Sequence, residues 1–246
     1  SKRSGKSQLY MGNFVNGGSK VLTQLDKYFV FRHIAVSPDN NFVLLATNNR
    51  VWRLPIKALI ERSVTVKSLD NFQVFKTEGF LKAVNWLSSS VMSLTYKQKN
   101  RLQLSLVDIN VQQEMKLDKM WSYAVSKNQN QGNIFLVHSN DNRLYQANLS
   151  ELQALPLSHT KSLINSFIQT DVKLGAEFKE LKVYQDKIYF IDNSTRNAKL
   201  SSLSLKGGQL LESYPINSSY GYDVSSKGIL LNELVSREGD IHRTLP

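Results

Sequence analysis

"LTQLDKYFVFRHIAVSPDNNFVLLATNNRVWRLPI", residues 22–56, contains two apolar segments separated by a polar turn. The first segment ends at Val36, the turn is Ser37–Asn41 (SPDNN), and the second segment begins at Phe42. Proline, aspartate and asparagine favour turns, and short runs rich in β-branched and aromatic residues favour strands. One such pattern predicts a hairpin, whereas a pattern that returns along the chain predicts a repeat protein.

The pattern returns four more times. Each copy has a short strand, a polar turn, a more apolar strand, a second turn and an alternating strand. The five copies begin with RHIAV (32–36), LKAVNW (81–86), WSYAVS (121–126), FKELKVY (178–184) and YGYDV (220–224). Connecting segments such as FQVFKTEG (72–79), QQEMKLD (112–118) and QLLESYPI (209–216) supply a fourth strand.

Four strands in a repeat of about 40 to 50 residues are typical of a β-propeller blade. We therefore predict an all-β fold, a β-propeller of five four-stranded blades, in one domain over residues 1–246 with a flexible linker over residues 1–7. The sequence also allows a sixth blade within residues 151–177. A β-sandwich is the alternative, but it does not explain the returning order of segments.

The last copy has only three strands. We expect KVLTQL (20–25) to supply its fourth strand, so that the N-terminal strand closes the C-terminal blade. Such a closure protects the edges of the first and last sheets.

Composition limits the classes of function. The chain has 246 residues, a formal net charge of +11 and no cysteine, so thiolate metal sites and cysteine nucleophiles are excluded. Lysine and arginine are spread along the whole chain, and the densest group, Lys97, Lys99 and Arg101, lies at a predicted strand corner. This distribution favours a solvated surface over a nucleic-acid interface.

Catalytic and metal-binding motifs are absent from the sequence. It contains no HExxH, GxSxG or GxxxxGK. The four histidines lack the spacing of metal ligands, and most carboxylates lie in turn clusters, where aspartate usually caps the turn. We predict no catalytic residue, no metal site, no cofactor and no enzymatic activity.

Candidate binding residues precede or begin the first strand of each repeat. In a propeller these positions open onto one end of the central channel, where a protein or small-molecule ligand can bind at the loop-rich face. The candidates are Arg32, His33, Lys82, Trp121, Tyr220 and Tyr222. Their side chains would suit an anionic group, a sugar or a peptide, while a core position between blades is the alternative for Trp121.

Residues 7–47 contain four short motifs in a fixed order. They are Leu9-Tyr10, Gly17-Gly18, Leu22-Thr23 and Ser37-Pro38-Asp39. With these motifs, the segment resembles the TolB-like propeller repeat. Asn40 stands where the family usually has glycine, and asparagine tolerates the left-handed turn conformation better than most residues.

The ending LVSREGDIHRTLP (234–246) is similar to the last strands of propellers in ToxR/CadC-like regulators. In those proteins a DNA-binding domain and a transmembrane helix precede the propeller. The resemblance implies a periplasmic sensory or interaction domain of a membrane-anchored transcriptional regulator. This domain would make no direct nucleic-acid contact and would reach the membrane only through a segment before Ser1. A glycan-active enzyme and a scaffold for protein complexes are the alternatives.

Overall fold

A computed structural model describes residues 9–12, 19–24, 31–61, 64–126, 132–154, 167–195, 197–216, 219–225, 228–236 and 239–245. The chain forms two compact units, Ser1–Met115 and Lys116–Pro246. Each unit is described separately. The single domain over residues 1–246 stays a prediction, and the predicted linker over residues 1–7 lies outside the described residues.

The first unit contains short strands and three short helical segments. In chain order they are β1 (Tyr10–Gly12), β2 (Ser19–Val21), β3 (Thr23–Gln24), β4 (His33–Val36), β5 (Phe42–Ala46), β6 (Arg50–Pro55), α1 (Ile56–Glu61), β7 (Val64–Thr65), α2 (Val66–Leu69), a 3₁₀ turn (Asp70–Phe72), β8 (Gln73–Lys76), β9 (Phe80–Trp86), β10 (Val91–Gln98), β11 (Arg101–Asp108) and β12 (Gln113–Lys116).

Two antiparallel four-stranded sheets follow one another in this part of the chain, and neighbouring strands pair in sequence order. The first sheet has the order β4-β5-β6-β8, and the second has the order β9-β10-β11-β12. The predicted repeat of four strands is confirmed in both.

The β4–β5 hairpin forms around the turn quoted above. Ser37 N donates to Phe42 O at 2.8 Å, and the Ser37 hydroxyl donates to Asp39 Oδ1 at 2.6 Å. Hydrogen bonds from Ser37 and Asn41 lower the pKa of Asp39 below its ordinary value. Asn40 adopts a φ of 57°, so the left-handed conformation expected at this position is confirmed.

Apolar side chains cover both faces of the first sheet. On one face, Leu44 and Val51 pack with Leu81 and Met92 of the second sheet. On the other face lies a separate cluster. It contains Leu22, Val43, Leu45, Trp52, Leu54, Leu59 and Leu69. Because both faces are covered, β5 is apolar at every position instead of alternating.

The expected pairing of the N-terminal strand is wrong. Ser19–Val21 pairs antiparallel with Tyr10–Gly12, and Thr23–Gln24 pairs in parallel with Val64–Thr65. Leu22 lies between these two short pairings and is buried with Trp52. Burial of Leu22 on the first sheet therefore fixes this segment within the first unit, and its strand bonds are made there.

The described residues of the second unit form eleven strands and one short helix. They are β13 (Trp121–Ser126), β14 (Asn133–His138), β15 (Arg143–Asn148), α3 (Leu149–Ala154), β16 (Ile168–Lys173), β17 (Phe178–Tyr184), β18 (Lys187–Asp192), β19 (Lys199–Ser204), β20 (Leu210–Pro215), β21 (Ser219–Ser225), β22 (Gly228–Ser236) and β23 (Gly239–Leu245).

These strands form two further four-stranded antiparallel sheets, β13-β14-β15-β16 and β17-β18-β19-β20, and the three-stranded sheet β21-β22-β23. Apolar residues of the third and fourth sheets pack together, among them Phe135 with Phe190. The described parts of residues 151–177 contribute the end of α3 and the fourth strand of the third sheet. They therefore complete an existing sheet and do not begin a sixth one.

Replacing Asn40 with alanine should lower the free energy of unfolding by about 1 kcal/mol, because alanine pays the full steric cost of the left-handed conformation. Asn40→Gly removes that cost and should be close to the wild type. Chemical denaturation of the three proteins measures the difference. Equal stability of the alanine and glycine variants would contradict the prediction.

Candidate ligand-binding site

A β-bulge interrupts the first strand of four of the five sheets that have three or four strands. In each case the register against the second strand shifts by one residue near the start of the strand. The extra residues are Lys82 in β9, Ser122 in β13, Glu180 in β17 and Tyr220 in β21. A bulge changes the direction in which a side chain points and is common beside binding sites. Lys82 and Tyr220 are among the candidates predicted from the sequence, whereas Ser122 and Glu180 are not, because the alternation of apolar and polar residues along a strand does not reveal a bulge.

In the first unit, the structure brings Arg32, His33 and Lys82 together. The Arg32 guanidinium carbon lies 5.6 Å from the centroid of the Phe80 ring, and Lys82 Nζ lies 4.8 Å from the same centroid. Phe80 is 39% exposed, and Arg32 and Lys82 are exposed as well. We call Arg32, His33, Phe80 and Lys82 the basic cluster.

Backbone hydrogen bonds fix the two strand starts that carry the basic cluster. Arg32 N donates to Ala46 O at 2.8 Å, and Leu81 N donates to Asn48 O at 2.6 Å. Trp86 Nε1 donates to Ala35 O at 2.9 Å and ties β9 to β4 further along. The four side chains therefore extend from two strands that are held against each other.

Positive charge in the basic cluster is not neutralised by the described part of the chain. No carboxylate there forms an ion pair with Arg32 or Lys82. His33 is half-buried. Burial lowers its pKa below the ordinary value, a hydrogen bond with the Leu81 backbone raises it, and the charges of Arg32 and Lys82 lower it further. The cluster thus holds two cations, and burial disfavours the charged form of the His33 imidazole.

Tyr222 lies in the second unit and is 6% exposed. Its hydroxyl donates to the backbone oxygen of Glu180. Lys182 Nζ lies 5.8 Å from the Tyr222 ring centroid and 2.8 Å from Asp223 Oδ1. Burial, together with the negative charges of Glu180 and Asp223, raises the pKa of Tyr222 well above its ordinary value. This tyrosine anchors the bulge in β17.

Trp121 is 3% exposed and packs within the third sheet. Its ring makes edge contacts with Phe167 at 4.9 Å, Tyr145 at 5.2 Å and His138 at 5.8 Å between centroids. His138 Nδ1 lies 2.9 Å from Asp141 Oδ1. The structure thus places Trp121 at a core position, which was the alternative for this residue. The side chain of Tyr220 lies outside the described residues.

Partial desolvation of the Glu180 carboxyl raises its pKa, and the charges of Lys182 and Lys179 partly oppose that effect. Glu180 also adopts a φ of 52°, as its place in the bulge requires. Within the described ranges, no three His, Asp or Glu side chains lie close enough to hold a metal ion. None of the helices described is long and apolar enough to cross a membrane.

No protein-family model matches the chain, and no curated protein matches its sequence. Solved structures do match. TolB from Acinetobacter baumannii is 12% identical with a TM-score of 0.62, over 92% of this chain and 56% of TolB. The β-propeller domain of the Trilobed protease from Pyrococcus furiosus is 13% identical with a TM-score of 0.53, over 100% of this chain and 78% of that domain. An oligogalacturonate lyase in complex with manganese is 10% identical with a TM-score of 0.53, over 97% of this chain and 67% of the lyase.

These likenesses show the fold. The chain has a TolB-like β-propeller fold built from four-stranded antiparallel sheets, as the sequence predicts. It spans little more than half the length of the TolB that it matches. Because the similar structures include a protease domain and a lyase, the fold does not by itself assign an activity.

Replacing Lys82 with glutamine should raise the pKa of His33, because a positive charge that opposes protonation of the imidazole is removed. The His33 ring proton signals, followed by NMR as a function of pH, measure this pKa. Lys76→Gln, in β8 of the same unit, is the matched control and should leave the pKa in place. An unchanged His33 pKa in Lys82→Gln would contradict the geometry of the cluster.

Proposed function

We propose that the chain is a non-enzymatic interaction domain in which the basic cluster binds the anionic group of a small-molecule or protein ligand. The observation that carries the proposal is the placement of two exposed cations against one exposed ring with no neutralising carboxylate in the described residues. An exposed cation without an ion-pair partner can donate charge-assisted hydrogen bonds to a bound anion.

The chemistry of the side chains supports an anion. Arg32 offers a planar set of N–H donors, Lys82 offers an ammonium group, and neither side chain has an acceptor. The Phe80 ring attracts both cations without using up their hydrogen bonds. Each hydrogen bond from a charged donor to an anion contributes about 1.5 to 3 kcal/mol. Since the site is partly open to solvent, binding should weaken as the salt concentration rises.

A second and more specific proposal concerns the whole protein that carries this domain. We infer that the domain is the periplasmic sensory part of a membrane-anchored transcriptional regulator. The TolB-like fold and the resemblance of residues 234–246 to regulator propellers support this inference. A captured ligand or partner protein would be the signal, and the segment before Ser1 would transmit it.

The gene sequence upstream of the Ser1 codon tests the proposal of a membrane-anchored regulator. It should encode a winged-helix domain followed by about 20 predominantly apolar residues. A signal peptide joined directly to Ser1 would contradict the regulator and would favour a free periplasmic scaffold or enzyme.

Sulfate tests the anion site itself. The chain should bind sulfate in isothermal titration calorimetry, and the double variant Arg32→Ala/Lys82→Ala should lose at least tenfold in affinity, the equivalent of about 1.4 kcal/mol. The matched control is Arg101→Ala/Lys116→Ala, which removes the same charges from exposed positions on β11 and β12 of the second sheet. Equal losses in the two double variants would mean that only net charge attracts the anion.

A further inference from the structure

β4 exposes apolar side chains, in contrast to the first strand of the third sheet. Ile34 is 55% exposed and Val36 is 47% exposed, whereas every residue of β13 is buried or half-buried. Exposure alternates along β4, because His33 and Ala35 are half-buried. Arg32 continues the alternation at the start of the strand and is also exposed. One side of β4 therefore presents a cation followed by two apolar side chains.

β4 also has an unpaired edge. It is the terminal strand of its sheet, with β5 on one side and no strand of the described residues on the other. Ser37 N donates to Phe42 O, and hydrogen bonding alternates along an antiparallel pair. The backbone groups of Ala35 therefore face β5, while those of Ile34 and Val36 face the unpaired edge. Such an edge is a template for a further strand.

The alternation ends just before β4. Arg32 N donates to Ala46 O, and Ala46 is also the residue of β5 that opposes His33. Two successive residues thus face one residue of the neighbouring strand, as they do in a β-bulge. The regular part of the unpaired edge therefore runs from His33 to Val36, and Arg32 lies at its beginning.

We infer that the carboxyl-terminal segment of a partner protein adds to β4 as an antiparallel strand and places its terminal carboxylate against Arg32 and Lys82. The inference rests on the proposed function, because it names the ligand of the basic cluster. No covalent bond forms or breaks. In strand addition, main-chain hydrogen bonds supply affinity, and contacts of alternate side chains supply specificity.

The position of the basic cluster sets the direction of the added strand. Arg32 directly precedes β4, and its guanidinium group and Lys82 Nζ lie against the same Phe80 ring. An antiparallel strand ends where β4 begins, so its carboxyl terminus reaches the two cations and accepts charge-assisted hydrogen bonds from them. A parallel strand would bring its amino-terminal ammonium group to the same place, where like charges repel it.

Ile34 and Val36 set the side chains that the partner should carry. Directly opposed residues of an antiparallel pair lie on the same face, with Cβ atoms about 4.5 to 5.5 Å apart. Apolar partner residues opposite Ile34 and Val36 would cover apolar surface that is now exposed to water. A peptide that alternates valine with threonine and ends in a free carboxylate therefore matches this edge.

Amide hydrogen exchange of the whole chain, followed by NMR, tests the inference with the peptide acetyl-Val-Thr-Val-Thr. Its first valine should oppose Val36 and its second should oppose Ile34. Without peptide, the Ile34 and Val36 amides should exchange faster than the Ala35 amide, which faces β5. With peptide, exchange at Ile34 and Val36 should slow roughly tenfold or more, because their N–H groups become hydrogen-bonded. Exchange at Ala35 should remain slow in both states.

N-methylation of the peptide distinguishes strand addition from unspecific contact, because it removes one main-chain donor and keeps every side chain. A methyl group on the nitrogen of the second valine, which should face Ile34, is expected to weaken binding roughly tenfold or more in an NMR titration. A methyl group on the nitrogen of the first threonine, which should face away from β4, is the matched control and should have little effect.

Variants of the chain test the side chains. Ile34→Thr should weaken peptide binding and leave sulfate binding unchanged, whereas Ile168→Thr, at an exposed isoleucine of the second unit, should affect neither. The wild type should bind the free acid of the peptide roughly tenfold more tightly than the amidated peptide. Arg32→Ala/Lys82→Ala should bind both forms equally, because the groups that recognise the carboxylate are gone.

The outcomes separate the inference from the proposed function. If sulfate binds through Arg32 and Lys82, but about 5 mM peptide leaves exchange at Ile34 and Val36 unchanged, the anion site stands and strand addition is overturned. Equal binding of the two N-methylated peptides also overturns strand addition. Equal binding of the acid and the amide to the wild type overturns the role of the terminal carboxylate. If sulfate also fails to bind, the proposed function falls with it.

Discussion

Burial of both faces of the central strands is the constraint on which this structure depends. β5, β10, β14 and β18 are buried along most of their length. Such strands have no solvated face, so apolar side chains must cover both faces of each sheet. The hydrogen bonds of each sheet satisfy the backbone, and the apolar side chains hold the sheets together. A single sheet of this composition would expose a large apolar surface in water.

The same constraint determines where binding chemistry can lie. Charged side chains are absent from the middle of β5, β10, β14 and β18 and collect at strand ends and turns. There, bulges turn individual residues such as Lys82 away from the core. The backbone that carries the basic cluster is fixed, because Arg32 and Leu81 are each hydrogen-bonded to residues at the end of β5 or just after it. Backbone atoms held in this way lose little conformational entropy when a ligand binds.

Much of this site was predictable because its residues follow a strand pattern that repeats. Arg32, His33 and Lys82 occupy corresponding positions in two successive copies, and those copies form neighbouring sheets of one unit. Trp121 and Tyr222 occupy similar positions in the sequence, yet their rings are buried. A large aromatic ring next to a bulge either faces solvent or fills a gap between sheets. Local sequence does not distinguish the two, because the volume of the gap is set by side chains distant in the chain.

The sequence by itself determined the strands, the turns and the number of strands in a repeat. These follow from local chemistry, such as the left-handed conformation of Asn40 and the unbroken apolar run of β5. Tertiary structure alone decided the pairing of Ser19–Gln24, the bulges, and the approach of Arg32 and Lys82 to one ring. Short edge strands with few apolar residues have several partners of similar energy. The choice among them is made by the burial of Leu22 beside Trp52, residues whose contact no local pattern encodes.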